Sequence, residues 1–151
     1  MNPVSSPRTA RALLTAFLAF LALVGFWPSP VDKPLEGHIA GFLHLVHRLG
    51  APVWFDYGFI EASANVALFV PLGFLAVLGF PTKRWWQLAG LGMLISGCME
   101  LGQFLFLHSR CPSALDVATN TTGGLLGIVM ASALQRRAKG HLQPAASTPD
   151  A

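Results

Sequence analysis

Four long apolar runs, at about residues 12–27, 60–80, 86–107 and 114–134, constrain this chain more than any other feature. A membrane-spanning helix needs about 20 mostly apolar residues, because only a backbone that satisfies its own hydrogen bonds is stable in hydrocarbon. The last three runs meet that length; the first is shorter. Composition agrees: 11% of the 151 residues are charged and 53% are hydrophobic, where an ordinary soluble domain carries roughly 25% charge. The expected fold is all-α, a polytopic membrane protein with four transmembrane helices in one domain over 12–134. Residues 1–11 form a lead, and 135–151, rich in Pro, Ala, Ser and Thr toward the end, reads as a disordered tail.

The first run follows Arg8 and Arg11, as in a signal peptide, but its exit over Gly25, Phe26, Trp27 and Pro28 lacks a small-x-small cleavage signature. Trp27 suits an interfacial anchor, so this run is expected to stay as the first span. Residues 81–84 leave only a tight turn between the second and third spans, which makes those two an antiparallel hairpin. Arg8, Arg11, Lys83, Arg84, Arg136, Arg137 and Lys139 then fall on one side, with Lys33, Arg48 and Arg110 on the other. The excess of Lys and Arg marks the cytoplasmic side, so both termini are expected there. Six of the seven acids lie toward the opposite, outer side.

The net charge of +3 does not imply nucleic acid, since the basic residues punctuate apolar runs instead of lining a polar face beside aromatic readers. Cys98 and Cys111 lie at different expected depths, so no disulfide is expected. Residues 28–59 are too polar to span. Within them, 41–49 has apolar residues around much of a helical circumference with His44, His47 and Arg48 between. This is an extracytoplasmic interfacial segment, lying on the membrane surface or packed on the bundle. Trp54, Phe55, Tyr57 and Phe59 form an aromatic belt at the head of the second span.

Ionisable groups inside spans carry an insertion penalty of about 2.5–3.5 kcal/mol at the centre and need a partner or a role. Here they come at helical spacing. Glu61 and Asn65 are four apart, Glu100 and Gln103 three apart, and Asp116 and Asn120 four apart, so each pair shares one helix face. The topology brings all three pairs to a similar depth below the outer interface, which favours a single polar cluster. Arg110, with His108 and Lys33 as further candidates, supplies positive charge there, and its planar fork suits a carboxylate or a phosphate. Gly123, Gly124 and Gly127 continue the stripe of Asp116 and Asn120 and allow close helix packing. Pro71 and Gly73 favour a kink below Asn65. A faint echo relates Glu61, Asn65 and Gly73 to Asp116, Asn120 and Gly127.

These residues resemble the VanZ-like family of small bacterial membrane proteins over about 32–131. The resemblance rests on Asp32, Lys33 and His38; on Asn65 followed by 68–74 with Pro71 and Gly73; on Glu100, Gln103 and Arg110; and on Asp116, Asn120, Gly123, Gly124 and Gly127. It implies an integral protein of a bacterial inner membrane, in a family named for an accessory factor in glycopeptide (teicoplanin) resistance. It implies no known reaction and no cofactor.

Several chemistries fit the cluster. In the favoured one, Arg110 and nearby amides hold the anionic group of a cell-envelope lipid or amphiphile while Glu100, Asp116 and Asn120 orient it. Membrane lipids, a cell-envelope precursor or a glycopeptide are the expected partners, with a possible second copy of the chain. A membrane enzyme acting on a lipid-linked phosphate or sugar would use Glu100 and Asp116 as paired acids, but no nucleophile motif accompanies them. A proton- or cation-coupled transporter would use the same acids. A metal site at His38, His44 and His47 is the weakest reading, because no HExxH-type spacing is present. The bland alternative is a bundle whose polar residues only hold helices together.

Overall fold

The structure, a computed structural model, describes residues 6–27, 35–107 and 113–141. The helices are α1 (Pro7–Gly25), α2 (Glu36–Arg48), α3 (Tyr57–Gly79), α4 (Trp85–Phe106) and α5 (Ala114–His141). Four of them, α1, α3, α4 and α5 as far as Ala138, are long and apolar enough to cross a membrane. Their ends follow local chemistry. Pro7 opens α1, where its missing N–H is one the helix could not have paired. Asp56 caps α3 by accepting the Phe59 N–H at 2.9 Å. The Gln87 side chain accepts the Arg84 N–H at 3.0 Å at the head of α4. At the end of α2, Gly50 takes a φ of 96°. There the Gly50 N–H donates to the His47 carbonyl and the Ala51 N–H to that of Val46, which completes a Schellman turn.

Two boundaries differ from expectation. Helix α1 begins at Pro7 and not at 12, because hydropathy marks the apolar part of a helix and not its polar first turn. Helix α5 runs to His141, past the expected end at 134, since Gln135, Arg136 and Ala138 are good helix formers that need no apolar face to continue. The part of the expected disordered tail at 142–151 lies outside the described residues.

Helices α3 and α5 pack most extensively. They run parallel, with Asn65 opposite Asp116 and Gly73 opposite Gly124. Helices α1 and α4 run the other way. A Cβ on Gly73 would collide with the Gly124 carbonyl, one on Gly123 with the Val66 carbonyl, and one on Gly127 with the Val70 carbonyl. The two backbones therefore touch directly, as small-residue seams in membranes do. Gly124 differs from the other three, because a Cβ there would meet nothing within 4 Å. Its backbone is what Gly73 approaches; its own missing side chain makes no room. Pro71, expected with Gly73 to favour a kink, is exposed inside α3 and takes no part in this seam. Leu14 and Leu21 of α1 join Phe69, Leu72, Ile128 and Ala131 in the core beside this seam.

The opposite end of α1 is tied to α3 by Arg11, whose Nε donates to the Gly79 carbonyl at 2.7 Å while its guanidinium lies 5.0 Å over the Phe80 ring. That carbonyl is one of the unpaired acceptors at a helix C-terminus. Arg11→Ala is expected to lower stability by about 1–2 kcal/mol, read as a drop in thermal midpoint in detergent. Lys at the same position restores charge but not the planar contact, so only part of the loss returns.

Candidate functional site

The predicted polar residues collect at the end of the bundle where α3 and α5 begin and α1 and α4 finish. The organising group is Ser113, immediately before α5. Its Oγ accepts the Asp116 N–H at 3.2 Å, the bond an N-cap serine makes to the third helical residue. In a capping box the acid at that third position would return the favour by accepting the cap residue's own N–H. Asp116 does not. Its Oδ1 instead accepts from Asn65 Nδ2 on α3 at 3.1 Å, and the Ser113 N–H donates to Glu100 Oε2 on α4 at 3.0 Å. Helix α4 thus supplies the acceptor that α5 gave away. One chain of hydrogen bonds, Asn65 to Asp116 to Ser113 to Glu100, joins three helices.

Both acids are half-buried and stand at the N-terminus of α5, where the helix dipole favours negative charge. Each uses one oxygen in this chain. Among the described residues neither carboxylate is in an ion pair, and the hydrogen bonds to them are the one from Asn65 to Asp116 and the one from Ser113 to Glu100. The pair therefore presents acceptors, suited to a ligand that carries donors.

The remaining predicted residues bond elsewhere. Gln103, buried, donates from Nε2 to the Gly25 carbonyl at 2.9 Å and so closes the end of α1. Asn120, also buried, donates from Nδ2 to Ser96 Oγ at 2.9 Å, and its Oδ1 is buried with no partner. Exchanging the amide's oxygen and nitrogen would only move the orphan from an acceptor to a donor. Glu61 lies exposed one turn before Asn65 on α3. Among the described residues Asn65, Asp116 and Glu100 share one chain of bonds while Gln103 and Asn120 bond elsewhere, so the two members of the Glu100 and Gln103 pair serve different helices. Arg110, His108 and Lys33 lie outside the described residues.

Ser113 and Ser96 carry contacts that the spacing argument did not assign. Signals for both are present. Ser113 stands three residues before Asp116 at the start of an apolar run, an N-cap signature. Ser96, Glu100 and Gln103 recur at helical spacing, so the polar stripe of α4 is longer by one turn than its charged part. Ser63, Thr119, Thr121 and Thr122 bond carbonyls of their own helices.

Beside the site, an almost wholly apolar groove of ≈ 400 Å³ lies between the end of α1 and α4, lined by Phe26, Leu94, Ile95, Cys98 and Met99. Cys98 is a free, exposed thiol. His38, His44 and His47 are exposed, and among the described residues no three His, Cys, Asp or Glu side chains come together as metal ligands would. Comparison with curated proteins and with solved structures returned no match. The sequence profile of the VanZ/LLP1 family, however, matches residues 12–135, most of the chain and most of each span-length helix. With its four apolar helices and the polar residues they bring to one end, this chain belongs to the VanZ/LLP1 family of membrane proteins.

Proposed function

We propose that the end of the bundle carrying Glu100 and Asp116 binds the head group of a cell-envelope lipid or amphiphile. In this reading both termini are cytoplasmic in a bacterial inner membrane, and the site opens to the outer leaflet. The observation that carries it is the pair of half-buried carboxylates beside Ser113, each with one oxygen engaged, Glu100 by the Ser113 N–H and Asp116 by Asn65, and among the described residues with no further bond to the other oxygen. Such a pair accepts hydrogen bonds from an ammonium or from hydroxyls, and in a region of low dielectric these charge-assisted bonds are strong. The groove along α1 and α4 begins one residue from Glu100 and provides a seat for a hydrocarbon chain. Arg110, between the two acids in sequence and outside the described residues, carries a guanidinium that suits the phosphate of a zwitterionic head. A role in envelope homeostasis or glycopeptide susceptibility follows if that lipid is an envelope component.

The test is lipid retention by purified protein, read by native mass spectrometry with phosphatidylethanolamine against phosphatidylcholine of the same chains. The two differ in whether the head-group cation has N–H donors. Preferential retention of phosphatidylethanolamine is expected; equal retention would remove the support for this site. A purely structural reading is favoured by the cross-helix bonds of Asn65, Gln103 and Asn120. It predicts no head-group preference at all.

A further inference from the structure

Helix α2 has 13 residues, roughly 20 Å, too short to cross a membrane. On its helical circumference Ile39, Leu43 and Val46 recur at spacings of four and three, and all three are half-buried. Phe42, Leu45 and Leu49 form a second apolar strip beside them, and this one is exposed, Leu49 at 79%. The strip continues into Val53, 88% exposed, and Trp54. His44, His47 and Arg48 occupy the opposite arc, with His38 interrupting the apolar one. The helix therefore has more apolar surface than the protein covers.

Its level is set by its neighbours. The Phe42 ring packs edge-on against Phe55 at 6.4 Å, and Phe55 and Trp54 lie 5.2 and 5.3 Å from Phe59. Phe59 is in the first turn of α3, a helix long and apolar enough to cross a membrane. The exposed strip is thus held where α3 enters the bilayer and is continuous with that span's own lipid-facing surface. Exposed apolar side chains at this level, with basic groups on the far arc, match the interfacial layer of a bilayer, acyl chains beneath and phosphates beside the cations.

We propose that α2 and the turn after it form a membrane-surface anchor, with Phe42, Leu45, Leu49, Val53 and Trp54 inserted into the lipid interface. The occupant of the strip is lipid, not a second chain. This does not depend on the head-group site at Glu100 and Asp116.

Nitroxide labels at positions 45 and 49, and at 41 and 44, placed singly in a Cys98→Ser, Cys111→Ser background, test it. The protein is reconstituted in phosphatidylcholine vesicles with about one quarter phosphatidylglycerol. Collision with oxygen is expected to exceed collision with a water-soluble nickel chelate at 45 and 49, at a depth of about 5–10 Å, and to reverse at 41 and 44. Nickel-dominated collision at all four positions would overturn the proposal. So would low collision with both reagents at 45 and 49, which would mean protein covers the strip. A chain retaining Trp54 alone, with Trp27, Trp85 and Trp86 replaced by Phe, gives a readout without labels. Lipids brominated near the glycerol end of the chains should quench it more than lipids brominated near the methyl end. Absence of quenching by either would overturn the proposal.

Discussion

Gly127→Ala is expected to lower the stability of the bundle by about 3 kcal/mol or more, at the top of the overpacking range. Gly124→Ala, three residues away in the same stripe, is expected to be neutral or slightly stabilising. The contrast follows from what each new methyl would meet. At Gly127 it would overlap the Val70 carbonyl and lie 2.7 Å from the Phe74 nitrogen, both backbone atoms of α3 that no rotamer change can move. The helices would have to separate along their most extensive contact. At Gly124 the methyl meets nothing within 4 Å, and alanine in place of glycine removes about 0.5–1 kcal/mol of unfavourable helix propensity. Gly73→Ala and Gly123→Ala should behave like Gly127→Ala. The measurement is the thermal midpoint of detergent-solubilised protein together with its amount in membranes. Since folded proteins hold only about 5–15 kcal/mol in reserve, loss of the folded fraction in the Gly127 variant is the expected extreme.

Replacing both acids by their amides, Glu100→Gln with Asp116→Asn, is expected to abolish the preference for an amine-bearing head group while leaving the protein folded. An amide oxygen can still accept from Asn65 and from the Ser113 N–H, so the hydrogen-bond chain across α3, α5 and α4 survives. What disappears is the negative charge. A hydrogen bond to a charged group is worth about 1.5–3 kcal/mol, and each 1.4 kcal/mol is tenfold in affinity, so phosphatidylethanolamine should bind about 10- to 100-fold more weakly. Phosphatidylcholine, without donors on its ammonium, should change little. Asp116→Ala is the contrasting variant. It leaves the half-buried Asn65 amide without its partner, and both stability and binding should fall.

The four spans were legible because length and hydropathy act locally: any stretch of about 20 apolar residues meets the same physical requirement. The helical spacing of Asn65, Glu100, Asp116 and Asn120 also placed each on a definite face of its own helix. Which face meets which was not legible, because helix rotation and order are set by packing. The Ser113 cap illustrates the gap. A capping-box rule read along the chain pairs Ser113 with Asp116, yet in the fold Asp116 turns to Asn65 and Glu100 arrives from another helix. The echo between α3 and α5 likewise aligns Asn65 with Asn120, but the packed register is staggered by one turn, so Asn65 meets Asp116. Gln103 was placed with Glu100 by spacing. It was drawn instead to the end of α1, whose last carbonyls need donors that the helix itself does not supply. Gly124 looked like its neighbours because a sequence shows that a side chain is missing but not what would have filled its place.

Glu100 and Asp116, on different helices, are neighbours through Ser113, with Asn65 bonded to Asp116 on its far side. Paired-cysteine crosslinking in native membranes tests this arrangement most directly, in a background lacking Cys98 and Cys111 and with a short bis-maleimide. Pairs at 100 with 113 and at 65 with 116 are expected to link as efficiently as the control pair at 25 with 103, which reports the α1 to α4 contact. Efficient linkage of the control with none at 100 to 113 or 65 to 116 would contradict the account, because the two acids would then not share a site.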